Sequence, residues 1–262
     1  MIANTSDPHI QERLKLHLDC CLDHYPENEW VGIFLVGSQN YGLATETSDV
    51  DSKIIILPTL EDIALNREPI SKTLKLPDGE QTEVKDIRLM FKCYRKQNIN
   101  FIETLFTPYH ALNKRWIDLF TPMLKANEKI ARYNRKQAID TMCGMVLERF
   151  KKFQKSLGNG ANDYDGKNAC TILRVAEFLE RYINGEPYAQ CLISNIPDAL
   201  LKYKTCSLHQ DTVVQDVIRA ETRARAAHMY FDTFDTVPDR EAEEIMDQVL
   251  ISIFRRLLSE SQ

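Results

Sequence analysis

The stretch "VGSQNYGLATETSDVDSK", residues 36–53, constrains this chain more than any other. The apolar run 30–36 precedes it and Ile54–Leu57 follows it. Each run has the length and composition of a buried strand, the first ended by Gly37 and the second by Pro58. Between them sit a Gly-Ser turn and two aspartates one residue apart. Side chains alternate along a strand, so Asp49 and Asp51 face the same way, about 7 Å apart at the backbone. Like charges so placed repel each other. Folding alone gives no reason to keep them, which points to a positively charged partner at that spot.

Two carboxylates at this spacing suit one or two divalent ions. In two-metal sites the ions sit about 4 Å apart and clamp the attacking and leaving oxygens of an in-line displacement. Hard oxygen ligands select Mg²⁺ or Mn²⁺ over zinc. D-x-D alone is a weak signal, because a loop-capping Asp beside a solvent-facing one looks the same. The upstream turn strengthens it. Gly37 lets backbone approach a ligand closely, and Ser38 offers a hydroxyl and an N–H at the start of a short helix, which suits phosphate oxygens. The glycine-lysine pattern of a P-loop is absent. Phosphate on one side and metal on the other make a nucleotide–Mg²⁺ constellation.

The surrounding pattern predicts an α+β fold. Asp7 and Pro8 open an amphipathic helix. Thr59 and Asp62 form a capping-box pattern before a short helix. "SKTLKLPDGEQTEVKD" reads as a hairpin about a Pro-Asp-Gly turn, and Asp86 as the N-cap of the helix after it. From about residue 115 the chain reads as helices split by Gly-, Asn- and Pro-rich loops, closing with a strongly amphipathic helix. The expected organisation is a small mixed-sheet α/β domain over 1–112 followed by a helical domain over 113–262.

Gly37, Ser38, Tyr41, Gly42, Leu43, Ser48, Asp49 and Asp51 together resemble the signature of the DNA polymerase beta superfamily of nucleotidyltransferases. Two later blocks resemble the RlaP-type predicted nucleotidyltransferases, a branch linked to RNA repair. One is "NINFIETLFTP", through Asn100, Glu103 and Leu105; the other is "YDGKNACTILRVAEFLERYINGEPY", through Lys167, Ala169 and Arg174. Thr171 stands where that branch has histidine. The likeness spans roughly residues 31–187; the remainder matches only as helical. It implies a third carboxylate from a later strand, for which Glu83 is preferred over Asp86. Its role would be to hold the metal and to accept the proton of the attacking hydroxyl.

Lys167 and Arg174 lie seven residues apart, on one helix face, where they can neutralise the triphosphate or the leaving pyrophosphate. The competing reading is a solvated Lys and an Arg paired with Glu177 or Asp165. Tyr41 either stacks on a base or packs beneath its loop. Glu103 reads as a buried acid tied to an Arg such as Arg88. In "RAETRARAAHMYF" the arginines Arg219, Arg223 and Arg225 read as solvated or paired with Glu221.

Charge and cysteine content bear on partners and compartment. Residues 85–155 hold sixteen Lys/Arg against six Asp/Glu, a local net charge of +10 inside a chain of −5. That segment either attracts a polyanion or forms solvated helix faces. Seven scattered cysteines, with no C-x-x-C pair, argue against a disulfide framework or a zinc site and suit a reducing cytoplasm. No run is long enough to span a membrane, and the N-terminus carries no targeting pattern. The expectation is an enzyme that moves a nucleoside monophosphate from an NTP to a hydroxyl with Mg²⁺ or Mn²⁺, the acceptor being an RNA end such as that of a tRNA. The alternatives are a protein or small-molecule acceptor, as in AMPylation, and a nucleotide-binding regulatory module without turnover.

Overall fold

Local signals place the first elements. In the computed structural model, which describes residues 7–46, 48–233 and 237–259, helix α1 (Pro8–His24) starts at Asp7, whose carboxylate accepts from the backbone N–H groups of His9 and Ile10 at 2.9 and 3.4 Å. Strand β1 (Trp30–Val36) runs into one 3₁₀ turn over Ser38–Tyr41, and β2 (Asp51–Ile56) follows. The capping box at α2 (Leu60–Ala64) is complete, with Thr59 N–H donating to Asp62 at 2.9 Å and Asp62 N–H to Thr59 Oγ1 at 3.1 Å. The hairpin is β3 (Ser71–Lys75) and β4 (Gln81–Asp86), and Asp86 caps α3 (Ile87–Arg95).

Next come α4 (Ile99–Ile102), β5 (His110–Leu112), α5 (Ile117–Lys125) and α6 (Asn127–Ala131). The sheet order is β3-β4-β2-β1-β5; β2 and β4 run parallel and the other neighbours antiparallel. Three residues are too few to show alternation, so β5 leaves no strand pattern in the sequence. One sheet face, carrying Ile33, Leu35, Ile54 and Val84, joins Ile10 and Leu14 of α1 in a buried core. The opposite face carries Phe34, which packs on Phe120 of α5 at 5.9 Å between ring centres.

The helices that follow are α7 (Arg135–Lys155), α8 (Gly166–Ile183), α9 (Tyr188–Leu192), α10 (Pro197–Lys204), α11 (Gln210–Asp232) and α12 (Arg240–Ser259). Gly166 begins α8 where a Cβ would lie 2.5 Å from the Tyr203 carbonyl oxygen, so only glycine lets α10 end there.

The chain divides into two compact units that differ from the 1–112 and 113–262 division. One comprises residues 1–40, 44–133 and 238–262, and the other 41–43 and 134–237. The reason lies in the packing. Helix α5 covers the sheet through Phe120, and α12 returns to the sheet unit, where Arg95 pairs with Asp247 and Arg256 with Asp118 at 2.6 Å. Hydrophobic pattern alone cannot tell which sheet or bundle a helix covers. All seven cysteines are free, and among the described residues no helix is long and apolar enough to cross a membrane.

Candidate functional site

Gly37 takes a left-handed conformation, φ +85°, immediately after β1. A Cβ there would lie 3.3 Å from Asp51 Oδ2, so the Asp51 carboxylate lies over the space a side chain at 37 would fill, and both the backbone angle and that space favour glycine. Ser38 opens the 3₁₀ turn. Asn40, which sequence reasoning did not single out, fixes it: its Nδ2 donates to Leu35 O at 2.9 Å and its Oδ1 accepts from Thr107 Oγ1 at 2.9 Å.

Asp49 lies just before β2 and Asp51 begins it; both are exposed, while Val50 between them is 1% exposed in the core. This exposed–buried–exposed alternation turns both carboxylates away from the core. Ser48, upstream, accepts from Thr45 N–H at 2.8 Å.

Glu83 is placed differently. In β4 it sits opposite Lys53 of β2, with which it forms an ion pair, and a second pair at 3.0 Å joins it to Lys85. Both ammonium groups lie over the Phe101 ring, 4.4 and 4.8 Å from its centre. Burial alone would raise the Glu83 pKa; the two lysines outweigh it and hold the group below its ordinary value. Continuing the β2–β4 register by one residue puts Gln81, not an acid, beside Asp51. Among the described residues no three or more His, Cys, Asp or Glu gather as a metal centre. What remains is a pair of exposed aspartates. Such a pair fits Mg²⁺, which commonly takes one or two carboxylates and completes its shell with water and substrate phosphates.

Asp86, the competing third acid, is 2% exposed and clamped by Arg88, whose Nη2 donates at 2.6 Å. Arg88 is therefore the partner of Asp86, its near neighbour in sequence, and not of Glu103. Glu103 is 2% exposed.

Tyr41 and Arg174 meet within the second unit. The Arg174 guanidinium lies 3.8 Å from the centre of the Tyr41 ring, which leaves that ring face closed to a base. Arg174 is 7% exposed, and its Nη1 is buried without a hydrogen-bond partner among the described residues. Neither of the expected acids pairs with it: Asp165 caps α8 through Asn168 N–H at 2.8 Å, and Glu177 accepts from Ser194 and Asn195 at 2.5 and 2.7 Å. Beside this pair, Lys204 Nζ donates to Leu43 O at 2.7 Å. Lys167 is exposed on the first turn of α8, and the Thr171 hydroxyl only donates back to the Lys167 carbonyl at 2.8 Å.

The basic segment spends much of its charge inside the protein. Arg115 pairs with Glu29 at 2.5 Å, Lys136 with Asp232 at 2.9 Å, Lys129 with Glu241 and Arg95 with Asp247. In α11 Arg225 pairs with Glu221 as expected, while Arg223 reaches Glu180 at 2.9 Å and Arg219 reaches Asp216 at 3.3 Å.

No protein-family model and no curated protein matches the chain. Among solved structures it is similar to a nucleotidyltransferase-like protein from Exiguobacterium sibiricum 255-15, at 13% identity, covering 92% of this chain and 80% of that one, with a TM-score of 0.33. With so low a TM-score the likeness decides neither fold nor function.

Proposed function

We propose that the chain binds an NTP with Mg²⁺ or Mn²⁺ and transfers its nucleoside monophosphate to a hydroxyl acceptor. A bond forms between the acceptor oxygen and the α-phosphorus, the α–β anhydride bond breaks, and pyrophosphate leaves. The observation that carries this reading is the nearness of the Asp51 carboxylate to the Gly37 turn, which supports taking the phosphate-binding and cation-binding parts of the signature as one site.

In this reading Asp49 and Asp51 hold the cation, which when bound would neutralise phosphate charge. The backbone of Gly37 and the hydroxyl of Ser38 bind phosphate oxygens. The resemblance assigns Arg174 and Lys167 to neutralising phosphate charge. A buried guanidinium nitrogen without a hydrogen-bond partner among the described residues is costly unless an anion comes to it. Tyr41 acts through Arg174, by stacking on it. An RNA end is the proposed acceptor on the strength of the resemblance. The charge of residues 85–155 adds little, because so many of those side chains are already paired.

The state of Glu83 favours a second reading, an NTP-binding module without turnover, since an acid held by two lysines is a poor ligand and a poor proton acceptor. One experiment separates the two. The protein is incubated with Mg²⁺, each α-labelled NTP in turn, and cellular RNA and protein, beside the double variant Asp49→Asn/Asp51→Asn. Nuclease-sensitive label that only the wild type produces is the expected result. Label on protein moves the acceptor. NTP binding without any label leaves the binding module.

A further inference from the structure

The β4 strand begins at Gln81, so the Asp49–Val50 segment that leads into β2 has no backbone acceptor on that side. A side chain stands in for the missing carbonyl: Glu80 Oε1 accepts the Val50 N–H at 3.1 Å, between the two aspartates. The other carboxylate oxygen is held from α1. Arg13 donates to Oε2 through Nε at 2.7 Å and pairs with it through Nη2 at 2.6 Å, and Arg13 also binds Asp78. One helical turn further on, His17 Nε2 lies 3.1 Å from the same oxygen.

His17 is fully buried and continues the chain inward, with Nδ1 2.8 Å from Ser52 Oγ, itself 2.7 Å from Thr82 Oγ1. A neutral imidazole satisfies every step: Nε2–H donates to Glu80, Nδ1 accepts from Ser52, and Ser52 accepts from Thr82. The network thus ties α1 to β2 on one side of Asp51 and to the Asp49–Val50 segment on the other, from the sheet face opposite the carboxylates.

We propose that Glu80 is the positioning residue of the cation site, fixing the spacing of Asp49 and Asp51 through the peptide N–H between them. Arg13 and His17 in turn hold Glu80 in place. This inference rests on the reading of Asp49 and Asp51 as cation ligands. Two repelling carboxylates on a strand end without a ladder partner on the β4 side would otherwise splay apart, and a cation would have to gather them at its own cost in affinity.

The test is Mn²⁺ binding by electron spin resonance in the presence of a non-hydrolysable ATP analogue. It compares wild type, Glu80→Ala, Glu80→Gln and the double variant Asp49→Asn/Asp51→Asn. We expect Glu80→Ala to weaken Mn²⁺ binding at least tenfold while leaving nucleotide affinity in EDTA unchanged. Glu80→Gln should recover part of the loss, because its amide oxygen still accepts from Val50 while its amide nitrogen cannot accept from Arg13 or His17. Hydrogen exchange at the Val50 amide should quicken in Glu80→Ala and stay as in wild type in the Asn double variant.

Wild-type Mn²⁺ affinity in Glu80→Ala overturns the positioning role and leaves the cation site standing. Equal losses of Mn²⁺ and of metal-free nucleotide binding overturn it too, since they mark general damage. Wild-type Mn²⁺ binding no tighter than in the Asn double variant removes the cation site itself, and the inference with it. Should Glu80→Ala fail to fold, Arg13→Lys loosens the same carboxylate, and unchanged Mn²⁺ affinity alongside faster Val50 exchange counts against the proposal.

Discussion

Two acidic stretches on one sheet face carry the same chemistry to opposite ends. Asp49 and Asp51 stand exposed where β2 begins. Glu83, one strand over and two residues further along, is taken up by Lys53 and Lys85 beneath Phe101. Whether a carboxylate can serve as a ligand depends on what already satisfies it. A cation must displace two ammonium groups to reach Glu83, whereas Asp49 and Asp51 are exposed to solvent. The contrast also explains why a like-charged pair persists at the strand end: it lies where solvent screens the repulsion until a cation arrives.

Exchanging the two regions' acids for amides gives the largest expected effect. Asp49→Asn/Asp51→Asn should lower Mn²⁺ affinity more than a hundredfold with the fold intact, while Glu83→Gln should leave that affinity within twofold. A large Mn²⁺ loss in Glu83→Gln would erase the contrast and return Glu83 to the metal. The same Glu83→Gln change should instead destabilise the protein by about 2 kcal/mol, because it leaves two partly buried lysines facing each other without their counter-ion. Urea unfolding measures this, and an unchanged midpoint would show that the lysines never needed Glu83.

A smaller effect tests the cation side of the proposed chemistry. Arg174→Lys keeps the charge but loses the planar group that stacks on Tyr41, and should weaken nucleotide binding about tenfold. Calorimetric titration decides, and an unaltered dissociation constant would make Arg174 a packing residue.

The smallest effect is on pH. Burial holds His17 below its ordinary 6.5, with Glu80 only partly offsetting it. Burial opposes the shift at Glu80, but the Val50 N–H, Arg13 and His17 outweigh it and hold that carboxyl below 4.5. Both groups bind protons more weakly folded than unfolded. Stability is therefore full above pH 6.5, begins to fall below it as the unfolded chain takes up a proton at residue 17, and falls again below 4.5 through Glu80. Denaturant midpoints at pH 7, 5.5 and 4 should show both steps. His17→Gln should remove the first, and a wild-type curve flat from pH 7 to 5.5 would contradict it.

Much of this was legible because its causes are local. The Asp7 and Asp86 caps, the Thr59–Asp62 box, the β3–β4 hairpin and the glycine turn each depend on residues within a few positions of one another. Glu80 was not legible. It reads as the residue after a Pro-Asp-Gly turn, and its partners Val50, His17 and Arg13 lie 30, 63 and 67 residues away. The fate of Glu83 was hidden for the same reason, since a strand register decides which lysine it meets. Arg88 chose Asp86 over Glu103 because the nearer acid was already fixed at the helix start. The role of α12 escaped too, because an apolar stripe does not say which neighbour it will cover.

The Asp239 amide donates to the Tyr133 carbonyl at 2.7 Å, and the Tyr133 hydroxyl reaches Glu243 at 3.3 Å. The chain therefore leaves the sheet unit at residue 133 and re-enters it at 238 through neighbouring points. Apart from residues 41–43, the helical unit is a parenthesis in the sequence, opened and closed at a single stitch. Lengthening or shortening what lies inside such a parenthesis changes closure entropy only logarithmically. By this measure the length of residues 134–237 weighs little on closing the chain between 133 and 238.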